Sequence, residues 1–192
     1  MNDEKLICKI CGAEKPLSEF RGDRRTKLGV VQTCKACRNA QDAQSGETVR
    51  RRYRDAKRRA KKFGVIDTLD FNEYADIFSG DTCVYCGTEL DDSNRSVDHV
   101  YPMSAGFANG HLNIVHCCRT CNDKKRTMHV YDFYRASDKF TDELFREFVR
   151  SFTERLINRP ISEQEVDIMI DNFRKEAEEM RRAEDEAKKA GA

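Results

Sequence analysis

Cys83-Val84-Tyr85-Cys86-Gly87 and Cys118-Arg119-Thr120-Cys121-Asn122 bracket two short apolar runs, Ser96-Val97-Asp98-His99-Val100 and Asn113-Ile114-Val115-His116-Cys117. A CxxC turn brings two thiolates to one metal. Two such turns complete a tetrahedral zinc site with no open position, so this site is expected to be structural. The apolar runs read as two strands. The loop between them, Tyr101 to Leu112, contains Pro102, Gly106 and Gly110, and a helix is expected to begin near Asn122. The CxxC register leaves Cys117 out of the cluster as a buried strand residue.

The chemistry-bearing residues lie inside this bracket. Asp98 and His99 are adjacent, so strand alternation would send them to opposite faces unless a bulge or strand end turns both to one site. Asn113 lies 14 positions after His99, and Asn122 nine positions later, directly after Cys121. A hard divalent cation takes oxygen ligands such as the Asp98 carboxylate and the Asn122 amide, and an imidazole beside it can accept a proton from water. A lone histidine is more often structural, but that does not explain the ordered set. His111, His116 and His129 are not needed in this scheme. His129 is a weak second candidate for a ligand or phosphate contact and is expected at the surface.

Upstream, Asp70-Phe71-Asn72-Glu73 forms a capping box for a short helix reaching Ser79 and stopped by Gly80. Before it, residues 47–63 place Val49, Tyr53, Ala56, Ala60 and Phe63 on one stripe, with Gly64 as the stop. From Arg50 to Lys62 the rest of this helix is basic: Arg50, Arg51, Arg52, Arg54, Lys57, Arg58, Arg59, Lys61 and Lys62 face one acid, Asp55. Such runs are commonly solvated faces. Nine cations cannot be neutralised by one carboxylate, however, which favours phosphate contact. Lys124, Lys125 and Arg126, on the helix after Cys121, are further candidates for flanking phosphates.

At the start, Cys8, Cys11, Cys34 and Cys37 make a second pair of CxxC turns, and 27–33 reads as a turn and short strand. This predicts a second structural zinc. At the other end, Thr141 caps a helix with Phe145, Phe148, Phe152 and Leu156 on one face, stopped by Asn158 and Pro160. Ser162 to Glu165 is a capping box for a long helix with Val166, Met169, Phe173, Ala177 and Met180 on one face. A hairpin packed on itself or on the core fits better than a coiled coil, because the heptads are not sustained.

Charged residues are 36% of the 192, and Trp is absent. That suggests no single large core, with metal holding small parts together. The acidic start is not a signal peptide and no run spans a bilayer, so a cytoplasmic chain with reduced thiols is expected, with no membrane partner. Net charge is only +1, but a basic block precedes an acidic tail, an asymmetry that points to a polyanion partner.

CVYCG at 83–87, VDHVYPMSAG at 97–106, NIVHC at 113–117 and CRTCNDKK at 118–125 together resemble the HNH endonuclease superfamily over roughly residues 70–130. The resemblance implies a ββα-metal, treble-clef-like α+β core and cleavage of DNA. In it His99 is the general base, Asp98 a ligand of the catalytic metal, and Asn113 the brace of the loop positioning His99. Asn122 at the third position makes an H-N-N form similar to phage junction-resolving endonucleases, where Asp and Asn hold magnesium. This implies Mg2+ or Mn2+ beside two structural Zn2+. CKICGAEKPLSEF with CKAC at 34–37 resembles small zinc fingers that precede HNH domains in phage-type proteins. A phage origin would place the chain in host cytoplasm. The expected organisation is a zinc module at 1–45, a basic linker helix at 46–66, the nuclease domain at 67–130 and a helical region at 131–192. That last region could pair with a second copy or another phage-type protein. The rival readings are a non-catalytic zinc DNA-binding protein and an interaction adaptor. The first gives Asp98, His99 and Asn122 no reason to cluster.

Overall fold

The same knuckle is built twice. Gly12 and Gly87 each follow a CxxC pair and adopt φ near +70° (70° and 67°), a conformation that glycine enters without a Cβ penalty. In each case the glycine N–H donates to the carbonyl of the first cysteine, Cys8 or Cys83, at 2.9 Å. The N–H of that cysteine donates in turn to Ala13 O at 3.0 Å or Thr88 O at 2.8 Å. Each knuckle is followed by an antiparallel hairpin and a helix whose first turn carries the second CxxC pair.

The computed structural model describes residues 4–190 and divides into two compact units, 1–52 and 53–192. The first has strands β1 (Lys5–Ile7), β2 (Glu14–Pro16), β3 (Phe20–Gly22) and β4 (Val30–Cys34), then helix α1 (Lys35–Gln44). Pairing is β1 with β2 and β3 with β4, around a small core of Cys8, Phe20 and Cys34. Helix α1 has no counterpart among the elements expected from the residue pattern. The helix α2 (Glu47–Phe63) has the bounds read from its stripe, and the boundary between the units falls within it.

The second unit continues with α3 (Phe71–Phe78), β5 (Arg95–His99), β6 (Ile114–Cys118), α4 (Arg119–Lys125), α5 (Val130–Ala136), α6 (Asp142–Ile157) and α7 (Glu163–Ala190). The capping boxes at Asp70 and Ser162 and the Thr141 cap form as expected. Helix α4 begins at Arg119 rather than near Asn122. The Cys118 sulfur accepts the Cys121 N–H at 3.4 Å, acting as the N-cap, so the knuckle itself is the first helical turn.

The second unit has a substantial core, contrary to the reading from composition. Tyr85, in the knuckle, packs at 5.3 Å from Phe133 and 5.1 Å from Phe140 (ring centroids). Phe145, Phe148, Phe152, Val166 and Phe173 extend the same cluster. The aromatic residues of the C-terminal helices thus close over the cysteine cluster. Met169 packs on this cluster and Ala177 is buried. Leu156 and Phe63, each at the end of its stripe, are exposed. No helix among the described residues is long and apolar enough to cross a membrane.

Candidate active site

Cys8, Cys11, Cys34 and Cys37 form one cluster, and Cys83, Cys86, Cys118 and Cys121 a second. In each, the sulfurs lie within 4.8 Å of one another. Four soft thiolates at that spacing fit tetrahedral zinc. Cys117 is fully buried on β6 outside the cluster, and burial pushes its thiol well above the ordinary range.

Strands β5 and β6 pair in regular register from Arg95↔Cys118 to His99↔Ile114, with no bulge. Asp98 and His99 nevertheless both border one open cleft of about 660 Å3, together with Asn122. The strand end provides this. His99 is the last residue of β5, and the chain turns away beyond it. Arg59, Arg126 and the exposed Phe63 also line the cleft.

Asp98 is 4% exposed. Its Oδ2 accepts the Tyr85 hydroxyl at 2.7 Å and faces Lys125 Nζ at 2.9 Å. Lys125 is fully buried and also donates to His99 O at 2.9 Å. This corrects its assignment as a phosphate contact. Its ammonium is the internal counter-ion of Asp98, and it ties the strand end to α4. Burial pushes the Tyr85 phenol well up, so it stays a donor. Both partners converge on Oδ2, so neither occupies Oδ1. Asn122 donates through its amide nitrogen to Ser96 Oγ at 2.8 Å and Val97 O at 3.3 Å, which orients the amide and leaves its oxygen out of both bonds.

His99 has a partner that the motif does not announce. Its Nε2 lies 2.8 Å from Oδ1 of Asn109, which is fully buried. Asn109 Nδ2 donates to Asp67 Oδ1 at 3.0 Å, and Asp67 Oδ2 pairs with Lys57 at 2.9 Å. Backbone bonds from Asn109 N to Ile66 O, and from Thr68 N and Leu69 N to Asn109 O, lock the residue in place. A carboxylate only accepts, so Asp67 fixes which end of the Asn109 amide faces it, and the amide oxygen therefore faces His99. His99 must then donate through Nε2, which makes Nδ1 its basic nitrogen. Burial lowers the His99 pKa below the ordinary value of 6.5, opposed by the Asn109 hydrogen bond.

Asn113 accepts from Tyr101 N at 2.9 Å and donates to Tyr101 O at 2.9 Å and Ala108 O at 2.8 Å. It holds the start and end of the loop that carries Asn109.

Several basic candidates are already occupied. Lys57 belongs to the Asp67 pair, Arg58 pairs with Asp55 at 3.0 Å, and Arg51 lies 3.4 Å from Asp42. Arg50 donates to Ser45 O, and Arg52 and Arg54 do not border the cleft. Arg59 and Arg126 do, while Lys61, Lys62 and Lys124 are exposed. His129 is buried, not on the surface: it caps α5 by accepting Tyr131 N at 3.2 Å, with Glu176 3.6 Å from its Nε2.

Residues 83–137 match the family model described as HNH endonuclease. No curated protein matches. A similar solved structure is the type II-C Cas9 enzyme from Actinomyces naeslundii, at 20% identity and a TM-score of 0.35. The match covers 70% of this chain and 16% of that one, and so loose an overlap carries no structural argument. Residues 83–137, which hold the second four-cysteine cluster together with Asp98, His99 and Asn122, thus match an HNH endonuclease domain.

Proposed function

We propose that the chain is a metal-dependent DNA endonuclease in which His99 is the general base. The observation that carries this reading is the convergence of His99, Asp98 and Asn122 on one cleft, with the His99 tautomer set by Asn109. His99 Nδ1 takes a proton from water as the water attacks phosphorus and the P–O bond to one strand breaks, its electron pair leaving on the departing deoxyribose oxygen; the Nε2–H···Asn109 bond holds the ring and stabilises the imidazolium that results. Asp98 Oδ1 and the Asn122 amide oxygen suit a hard cation such as Mg2+ or Mn2+, which when bound stabilises the charge that develops on the phosphoryl oxygens. Lys125 keeps the buried Asp98 carboxylate compensated, and Arg59 and Arg126 hold flanking phosphates.

Plasmid incubated with the zinc-loaded protein tests the reading. Nicked or linear product is expected with added magnesium and none without it. Intact plasmid under both conditions, with DNA still bound, would favour a zinc DNA-binding protein.

A further inference from the structure

The two units repeat one scaffold, and the repeat extends beyond the cysteines. Lys9 N donates to Gln32 O at 3.0 Å, and Val84 N lies 3.5 Å from His116 O, each linking the residue after the first cysteine to the one two before the helix-capping cysteine. Cys34, the cap of α1, pairs with Phe20; Cys118, the cap of α4, pairs with Arg95. Four residues before each capping cysteine, Ile114 pairs with His99 and Val30 with Gly22, because the β3–β4 register shifts between Phe20 and Gly22 while the β5–β6 register does not. Asn122 directly follows the last cysteine of its cluster, as Arg38 follows Cys37. The first unit therefore has a glycine where the second has His99, and a cation where the second has Asn122.

Arg25 covers both Asp23 oxygens, at 3.0 and 2.9 Å, and adds its backbone N–H at 3.0 Å. A cleft of about 560 Å3 opens here, lined by Lys9, Arg21, Arg25 and Arg38 against the single carboxylate of Asp23. Asp42, 4% exposed behind it, engages Arg38 at 3.0 Å and Arg21 at 4.0 Å, which orders these guanidinium groups while leaving an excess of positive charge. Fixed guanidinium forks beside a polar cleft suit phosphate oxygens.

We propose that the N-terminal unit is a non-catalytic copy of the nuclease scaffold whose cleft binds the phosphate backbone of duplex DNA. The inference shares with the proposed function only that DNA is the ligand, and does not depend on cleavage.

The test is binding of the full zinc-loaded chain to a short DNA duplex without magnesium, over a range of salt concentrations. Lys9→Gln and Arg21→Gln together replace exposed cations that line the cleft and leave the Asp23–Arg25 pair intact. Affinity should fall about tenfold, and the slope of log affinity against log salt should flatten by about 2, at roughly 0.9 for each phosphate no longer neutralised. Gln32→Glu, which places an acid in the cleft, should act in the same direction. An Arg135→Gln, Arg182→Gln control matches the change in net charge elsewhere and should have a smaller effect. Zinc content confirms the fold of each variant. Single-turnover cleavage at saturating DNA should be unchanged, so a chain that binds but never cleaves refutes the nuclease reading alone. Unchanged affinity and slope in both cleft variants, or a drop in affinity equalled by the control, would overturn the proposal.

Discussion

His99 Nε2 and Asn109 Oδ1 lie 2.8 Å apart, and the direction of that hydrogen bond is set two residues away, at the Asp67–Lys57 pair. His99 is thus tied to α2 through a chain of groups whose roles permit only one arrangement. Asn109→Ala should lower kcat by about 10-fold or more with little change in KM, because it releases the ring without touching a ligand oxygen. It should also cost about 1–3 kcal/mol of stability, since Asp67 is deprived of a buried donor. Steady-state kinetics on a folded variant check this. A raised KM at unchanged kcat would place Asn109 in binding rather than in positioning the base.

The pH profile follows from the burial of His99. Burial favours the neutral ring, so the folded pKa lies below 6.5. The acid limb of kcat/KM should therefore have its midpoint below 6.5, with activity rising as pH increases through it. The same shift means that protonation favours the unfolded chain. His99 contributes stability above pH 6.5 and loses it as pH falls through the folded value. A limb centred above 6.5 would contradict a buried, Asn109-bound base.

Removing one partner of the Asp98–Lys125 pair should be severe. Lys125→Met leaves a buried carboxylate without its counter-ion, at about 3–5 kcal/mol. Added magnesium should restore more thermal stability to this variant than to the wild type, because Asp98 then gains from any cation. Thermal melts with and without magnesium measure the difference. A variant as stable as the wild type would show that the pair is not the counter-ion arrangement described.

Two zinc ions per chain are expected in freshly purified protein, one on each four-cysteine cluster. Because zinc binding and folding are coupled, a strong chelator should unfold both knuckles. Elemental analysis giving one zinc or none would break the parallel between the units.

Much of this architecture can be read from local chemistry. CxxC pairs, capping boxes and the Asp98-His99, Asn113 and Asn122 spacing each concern residues a few positions apart, or a motif that announces itself. The features that escape such reading depend on residues distant in sequence. Asn109 sits in a glycine-containing loop and takes its role from Asp67, 42 positions away. Lys125 stands in a basic run, where a surface position is the ordinary expectation, and only the fold buries it beneath Asp98. The start of α4 falls earlier than its residue types suggest because a cysteine sulfur serves as the cap. Low hydrophobicity conceals the core because the phenylalanines are concentrated in the C-terminal helices, which fold back over Tyr85.

The most direct test of the central claim is the single-turnover cleavage rate of His99→Ala at saturating DNA, beside Asp98→Ala, across a magnesium titration. Both variants should retain two zincs and bind DNA. His99→Ala should cleave about 10²–10⁴-fold more slowly at every magnesium concentration, since it lacks the base. Asp98→Ala should recover in part as magnesium is raised, since it lacks a ligand. A folded His99→Ala protein that cleaves at the wild-type rate would contradict the account.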